Sequence, residues 1–205
     1  MIKRFFDIVL SSLGLLVLSP LFLIIALLLL FTGTGDPVFF RQIRIGRGGV
    51  EFVLYKFRTM NNNRANSGLL TVGMRDKRIT PVGYYLRKYK LDELPQLFNV
   101  LIGDMSIVGP RPEVPFYVSK YSGEQLKVLN VRPGLTDYAS IEYSNENEIL
   151  GNSANPEETY LNIIMPAKLA ISLKYIENSN LITDMLVIFK TIGKILKPRY
   201  RDKKA

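Results

Sequence analysis

Hydrophobic and polar positions divide this chain unevenly. From Ile8 to Gly35 no side chain is charged, and the run Leu13-Gly-Leu-Leu-Val-Leu-Ser-Pro-Leu-Phe-Leu-Ile-Ile-Ala-Leu-Leu-Leu-Leu-Phe31 is apolar almost throughout. Roughly 20 helical residues cross the hydrocarbon core of a bilayer, so the stretch is long enough. A secretory signal peptide would have an apolar core of about 7–15 residues and then a small-residue cleavage site. This run is longer, and Thr32-Gly-Thr-Gly-Asp-Pro37 matches such a site poorly, so the segment is expected to be retained. Lys3 and Arg4 precede it, and Arg41, Arg44 and Arg47 follow it. Positive charge marks the cytoplasmic side, so both flanks ask to stay there. Ser19-Pro20 sits midway, where proline removes an amide donor and a serine hydroxyl can satisfy backbone groups. Two arrangements stay open on these grounds: a re-entrant helix bent at Ser19-Pro20, and a single span with a tolerated kink.

At the far end, Leu181, Met185, Ile188, Ile192 and Ile195 recur at helical spacing, with Lys190, Lys194 and Lys197 on other faces. Such an amphipathic helix, 181–197, can lie in the headgroup layer and attract anionic lipid, or it can pack on a core with its polar face in water. Residues 198–205 add further cations.

The segment from Asp36 onward is polar and punctuated. Residues 37–41 and 51–57 are rich in aromatic and β-branched side chains and flank Gly46-Arg-Gly-Gly49, which predicts a β-hairpin. Residues 61–73 read as a loop. A helix is expected from Pro81 to Lys88, and another after Asp92 carrying Leu94, Leu97, Phe98, Leu101 and Ile102 on one side. Gly109-Pro-Arg-Pro112 and Arg132-Pro-Gly134 read as rigid loops, and 117–130 and 157–178 as helices. The expected organisation is α+β, with a membrane helix at 1–35 and a mostly helical catalytic domain at 36–205.

Composition narrows the chemistry. The 205 residues include 27 Lys+Arg against 18 Asp+Glu, a net charge of +9, and no Cys or His. Disulfides, thiolate nucleophiles, zinc sites built on Cys or His and Ser-His-Asp relays are excluded. Catalysis must use carboxylates, Lys, Arg, Tyr, hydroxyls or a hard cation held by oxygen. The adjacent carboxylates of Asp92-Glu93 stand at the expected start of a helix. One could stay ionised as a nucleophile while the pair holds a cation, or Asp92 could simply cap the helix. Lys56, Arg58, Arg87, Arg111 and Arg132 lie beside turns or helix ends, and arginine forks match phosphate oxygens. Together they suggest a phosphorylated substrate held near lipid.

These residues also carry a resemblance. Lys56-Phe-Arg-Thr-Met60, Leu91-Asp-Glu-Leu-Pro-Gln-Leu-Phe-Asn-Val100, Gly103-Asp-Met-Ser-Ile-Val-Gly-Pro-Arg-Pro112 and Val131-Arg-Pro-Gly-Leu-Thr136 occur in that order after the Ser19-Pro20 segment. The chain resembles the bacterial monotopic phosphoglycosyl transferases, in their compact form. The resemblance implies transfer of a sugar-1-phosphate from a UDP-sugar to polyprenyl (undecaprenyl) phosphate on the cytoplasmic face of the bacterial inner membrane, releasing UMP. It implies Asp92 as the nucleophile, forming a phosphosugar ester, with Mg²⁺ assisting and Glu93 helping to hold it or to handle protons. Lys56, Arg58, Arg87, Arg111 and Arg132 become candidate substrate contacts, and Ser19-Pro20 the break in a re-entrant helix. A homo-oligomer and downstream glycosyltransferases of a glycoconjugate pathway are open as partners.

The chain departs from the family pattern at Asp137-Tyr-Ala-Ser140, where many members have Gly-x-Ala-Gln, and at Ser172, where an acid is frequent. Two other classes compete. A membrane adaptor explains the anchor but not a Gly/Pro-framed basic site around Asp92. A nucleic-acid partner is not expected, because the cations are scattered beside loops and no zinc or helix-turn-helix signature occurs.

Overall fold

A computed structural model describes residues 2–32, 36–61, 70, 76 and 78–196. Most of the expected loop at 61–73, and the basic residues from Lys197 onward, lie outside these described residues.

Helix α1 (Ile2–Phe31) continues through Pro20. Proline leaves the carbonyl four residues back without its helical donor, and that carbonyl belongs to Leu16. Ser19 Oγ donates to Leu16 O at 2.8 Å, so the Ser-Pro pair removes one rung of the ladder and replaces it locally. The helix is therefore not ended at this pair. It is long and apolar enough to cross a membrane, and only 11% of its most apolar 18-residue window is buried.

Both ends of α1 are fastened to the rest of the chain. Arg4 donates to Val100 O at 2.6 Å and Leu101 O at 2.8 Å. Asp7 Oδ1 accepts from Ser106 Oγ and from the Ile107 amide, each at 2.9 Å. Lys3 pairs with Asp184, which also accepts from the Tyr175 hydroxyl. At the other end Ile25 and Leu29 are buried with Phe57 and Leu86, and Arg58 Nη2 donates to Leu29 O at 2.9 Å.

Strand β1 (Phe39–Ile45) pairs antiparallel with β2 (Glu51–Phe57), from Phe39 opposite Phe57 to Ile45 opposite Glu51. The expected first strand thus extends four residues further, to Ile45. Gly48 and Gly49 take φ of 72° and 79° in the connecting turn, where a side chain would be strained. Helix α2 (Pro81–Lys88) matches its expected bounds, with Thr80 Oγ1 accepting from the Gly83 amide at 2.9 Å. A 3₁₀ turn (Leu91–Glu93) follows, then helix α3 (Gln96–Ile102). The apolar side expected on α3 splits. Leu97 is buried and Leu94 and Leu101 are half-buried, whereas Phe98 and Ile102 are exposed.

Strands β3 (Ser106–Val108) and β4 (Gly134–Thr136) form a parallel pair that the sequence reading places in or beside loops. Three residues are too few for an alternating pattern to register, and the pairing needs a long crossover. Gly109 and Gly134 allow the two backbones to meet, since a Cβ on Gly134 would lie 2.1 Å from Gly109 N.

The helix expected over 117–130 is instead the short α4 (Pro115–Val118) and a 3₁₀ turn (Gln125–Asn130). Ser122-Gly123 separates them, and the Ser122 amide donates to Gln125 Oε1 at 2.9 Å rather than continuing a helix. Helices α5 (Tyr138–Glu142) and α6 (Glu146–Gly151) follow. The helix expected over 157–178 is present as α7 (Pro156–Thr159), a π-turn (Tyr160–Ile164) and α8 (Met165–Glu177).

Helix α9 (Leu181–Leu196) buries Asp184 and Val187 and leaves Ile182, Leu186, Phe189 and Leu196 exposed. Its apolar surface exceeds what its core contact needs. The architecture is a mixed, mostly helical α+β fold led by one long apolar helix.

Candidate active site

Asp92 and Glu93 lie in the 3₁₀ turn between α2 and α3. Lys90 enters that turn at φ 57°, the only positive-φ residue other than glycine among those described. This left-handed conformation is costly for a side-chain-bearing residue and turns the chain sharply at the pair. Asp92 is not a helix cap. The cap position of α3 is Pro95, and no side chain bonds the helix start.

The two carboxylates differ in their surroundings. Glu93 Oε1 accepts from Lys56 Nζ at 2.9 Å and from Arg111 Nη2, which brings β2 and the loop after β3 onto one oxygen. Burial opposes its ionisation, but the charges of Arg111 and Lys56 prevail and hold it well below the ordinary glutamate range. Glu93 in turn raises the Arg111 guanidinium, while burial lowers the Lys56 ammonium despite Glu93. Asp92 is only 6% exposed, and its Oδ1 has no hydrogen-bond partner. Burial first, and then the neighbouring Glu93 charge, raise its pKa above the ordinary value; Lys56, Lys90 and Arg87 oppose that rise.

Arg111 is held on several sides. Its backbone amide donates to Asp137 Oδ2 at 3.2 Å, while Asp137 Oδ1 caps α5 through the Ser140 amide at 2.7 Å. Gly109 N donates to Thr136 O at 3.1 Å, and Gly134 N to Pro110 O at 2.8 Å. Arg44 donates to Pro112 O at 2.9 Å and to Glu113 Oε2 at 3.3 Å, and the Tyr160 hydroxyl donates to Glu113 Oε1 at 2.5 Å. A hollow beside Arg111 is lined by Asp137, Tyr160, Lys168 and Ser172, so both departures from the family pattern face it.

Of the residues singled out from sequence, Lys56, Arg111 and Glu93 are brought into direct contact, and the charge of Arg87 reaches Asp92. Two arginines are used elsewhere. Arg58 is buried on the end of α1, bonding Leu29 O and Thr32 Oγ1 and facing Asp36 at 3.7 Å. Arg132 Nε donates to Gly103 O at 2.8 Å, so with Arg4 it neutralises the carbonyl end of α3. Arg44, Glu113, Asp137 and Tyr160 were missed by sequence reasoning. Glu113 and Asp137 directly follow Gly-Pro-Arg-Pro112 and Leu-Thr136, and that adjacency was the available signal.

The donor set bears on the metal. No group of three or more acidic, His or Cys side chains gathers among the described residues. Mg²⁺ is commonly held by one or two carboxylates with water and substrate phosphates, and an Asp-Glu pair with a free buried oxygen fits that use.

Fold and site together define a protein with an apolar leader helix and a carboxylate pair set among cations. The family model for bacterial sugar transferases matches residues 1–198, and the chain belongs to that family. It is 38% identical to a UDP-N-acetylgalactosamine-undecaprenyl-phosphate N-acetylgalactosaminephosphotransferase of Aeromonas hydrophila, across 95% of this chain and 44% of the relative. It is 37% identical to a UDP-glucose:undecaprenyl-phosphate glucose-1-phosphate transferase of Klebsiella pneumoniae, across 94% of this chain and 39% of the relative. It is 35% identical to the exopolysaccharide production protein ExoY of Rhizobium meliloti (strain 1021), across 97% of this chain and 87% of the relative. The chain thus spans less than half of the first two and most of the third.

Proposed function

We propose that this protein transfers a sugar-1-phosphate from a UDP-sugar to undecaprenyl phosphate through a covalent phosphosugar ester of Asp92. The observation that carries this reading is the buried, unpartnered Asp92 Oδ1 beside a Glu93 whose charge is already neutralised by Lys56 and Arg111. An Asp92 oxygen bonds to the sugar-bearing phosphorus, the bond from that phosphorus to the bridging diphosphate oxygen breaks, and UMP leaves with the electron pair. A phosphate oxygen of the lipid then attacks the same phosphorus, and the Asp92 carboxylate leaves. A carboxylate made more basic by burial is a stronger nucleophile once ionised. Lys56 and Arg111 each spend only part of their N–H groups on Glu93, leaving donors for the diphosphate, and Arg87 adds charge near Asp92. Asp92 and Glu93 would hold Mg²⁺, which neutralises phosphate charge when bound.

The proposed setting is the cytoplasmic leaflet of the inner membrane. Fastening both ends of α1 to one domain supports the re-entrant arrangement, since a straight span would carry one end to the opposite side. Exposed apolar side chains on α1, α3 and α9 support contact with lipid.

The test incubates purified protein and Mg²⁺ with UDP-glucose, UDP-galactose, UDP-N-acetylglucosamine or UDP-N-acetylgalactosamine, without acceptor. Intact-mass measurement should reveal a phosphosugar adduct that Asp92→Asn lacks. An Asp92→Asn protein that transfers at the wild-type rate would overturn the mechanism.

A further inference from the structure

Two buried amide side chains three residues apart on α3 meet different fates. Asn99 is fully used: Nδ2 donates to Val53 O at 2.8 Å and Asp104 Oδ2 at 3.2 Å, and Oδ1 accepts from the Tyr55 amide at 3.1 Å. It thereby covers the open edge of β2. Gln96 is 2% exposed, yet its Nε2 has no hydrogen-bond partner. Leu94 and Pro95 both have right-handed helical backbones, with φ of −54° and −60°, so Gln96 follows Asp92 within little more than one tight turn of chain. Asp92 Oδ1, four residues earlier, is also buried and unpartnered. A donor and an acceptor at this spacing could satisfy each other, and here they do not.

Burying an amide N–H without a partner is unfavourable, and such a group in a native fold calls for an explanation. A packing role does not supply one, because leucine would fill the space without the penalty. A ligand that presents acceptor oxygens around an electrophilic centre satisfies both orphan atoms at once. A phosphoryl group has that chemistry.

We infer that Gln96 is a substrate-binding residue whose side-chain amide donates to a non-bridging oxygen of the phosphoryl group that Asp92 attacks. This rests on the reading of Asp92 as nucleophile. The bond orients the phosphorus toward the carboxylate, and it strengthens as charge moves onto the phosphoryl oxygens. The choice of glutamine has a physical reason. A lysine there would bring positive charge against Asp92 and weaken it as a nucleophile, whereas a neutral amide orients phosphate without that effect.

The experiment measures transfer from whichever UDP-sugar the wild type uses to undecaprenyl phosphate, together with thermal unfolding, for Gln96→Leu and Gln96→Glu. Gln96→Leu should keep or raise the Tm and lower kcat about 100-fold, the scale of losing one donor to developing charge. Gln96→Glu should lose more, since a carboxylate repels the phosphate. Wild-type turnover in Gln96→Leu, or a loss of turnover matched by a lower Tm, overturns the assignment. Asp92→Asn run alongside separates the two ideas. If it retains turnover while Gln96→Leu loses it, the nucleophile reading fails and Gln96 still contacts substrate.

Discussion

Asp92 and Glu93 are neighbours in sequence and opposites in environment. One Glu93 oxygen is shared by Lys56 and Arg111, while one Asp92 oxygen is buried with no partner at all. The first carboxylate is bound to two cations, and the second keeps a buried oxygen free.

Replacing Asp92 by Asn should abolish transfer without unfolding the protein. The substitution removes a buried charge that repels Glu93, so the Tm should hold or rise. Differential scanning fluorimetry beside the transfer assay checks both outcomes.

The pair also sets a pH dependence. Asp92 has a raised folded pKa, so its ionisation works against the fold, and that penalty lifts as pH falls through the raised value. Glu93 has a depressed folded pKa. It contributes stability above its unfolded value of about 4.3, and that stability is lost as pH falls through the folded one. In the proposed mechanism transfer needs ionised Asp92, so the acid limb of the rate profile should lie above the ordinary aspartate pKa of about 3.9. Asn at this position should remove the limb from any residual rate.

Lys56→Met leaves Glu93 with Arg111 alone. Breaking a buried ion pair by removing one partner costs about 3–5 kcal/mol, and about 2–4 °C of Tm per kcal/mol is typical for a chain near this size. A clear fall in Tm together with lost turnover is expected. An unchanged Tm would mean that the contact contributes nothing to folding.

Asp7→Leu should loosen the seat of α1. It leaves the Ile107 amide and Ser106 hydroxyl without their acceptor, at about 1–3 kcal/mol for each unpaired buried group. Protease sensitivity of the first helix in detergent, compared with wild type, reads this directly.

Topology can be tested cleanly because the chain has no cysteine. A single cysteine placed at Ile2, and another at Val50, should be labelled from the same side of sealed vesicles by an impermeant maleimide. Labelling from opposite sides would refute the re-entrant arrangement and favour a span.

Long periodic signals were the legible ones in this sequence. The apolar leader, the hairpin, α2 and the amphipathic α9 follow from patterns that persist for many residues. The parallel pair of Ser106–Val108 and Gly134–Thr136 was not legible, because it arises from two backbones meeting at glycines rather than from any run of side chains. At the site, residue types were read correctly while some directions were not. Arg58 lies just past the end of β2, where strand alternation no longer tells which way a side chain points, and it turned to Leu29 O rather than joining Lys56. Arg132 was drawn to the carbonyl end of α3, a helix whose position depends on tertiary packing.

The Lys3–Asp184 contact joins residues 181 positions apart. During synthesis at about 5–20 residues per second, the leader emerges many seconds before its partner on α9 exists. Until α9 has been made Lys3 has no Asp184 to pair with, and the apolar segment, which the finished fold leaves largely exposed, needs another host from the outset. The clasp between the two can close only after α9 exists, long after the apolar segment has emerged.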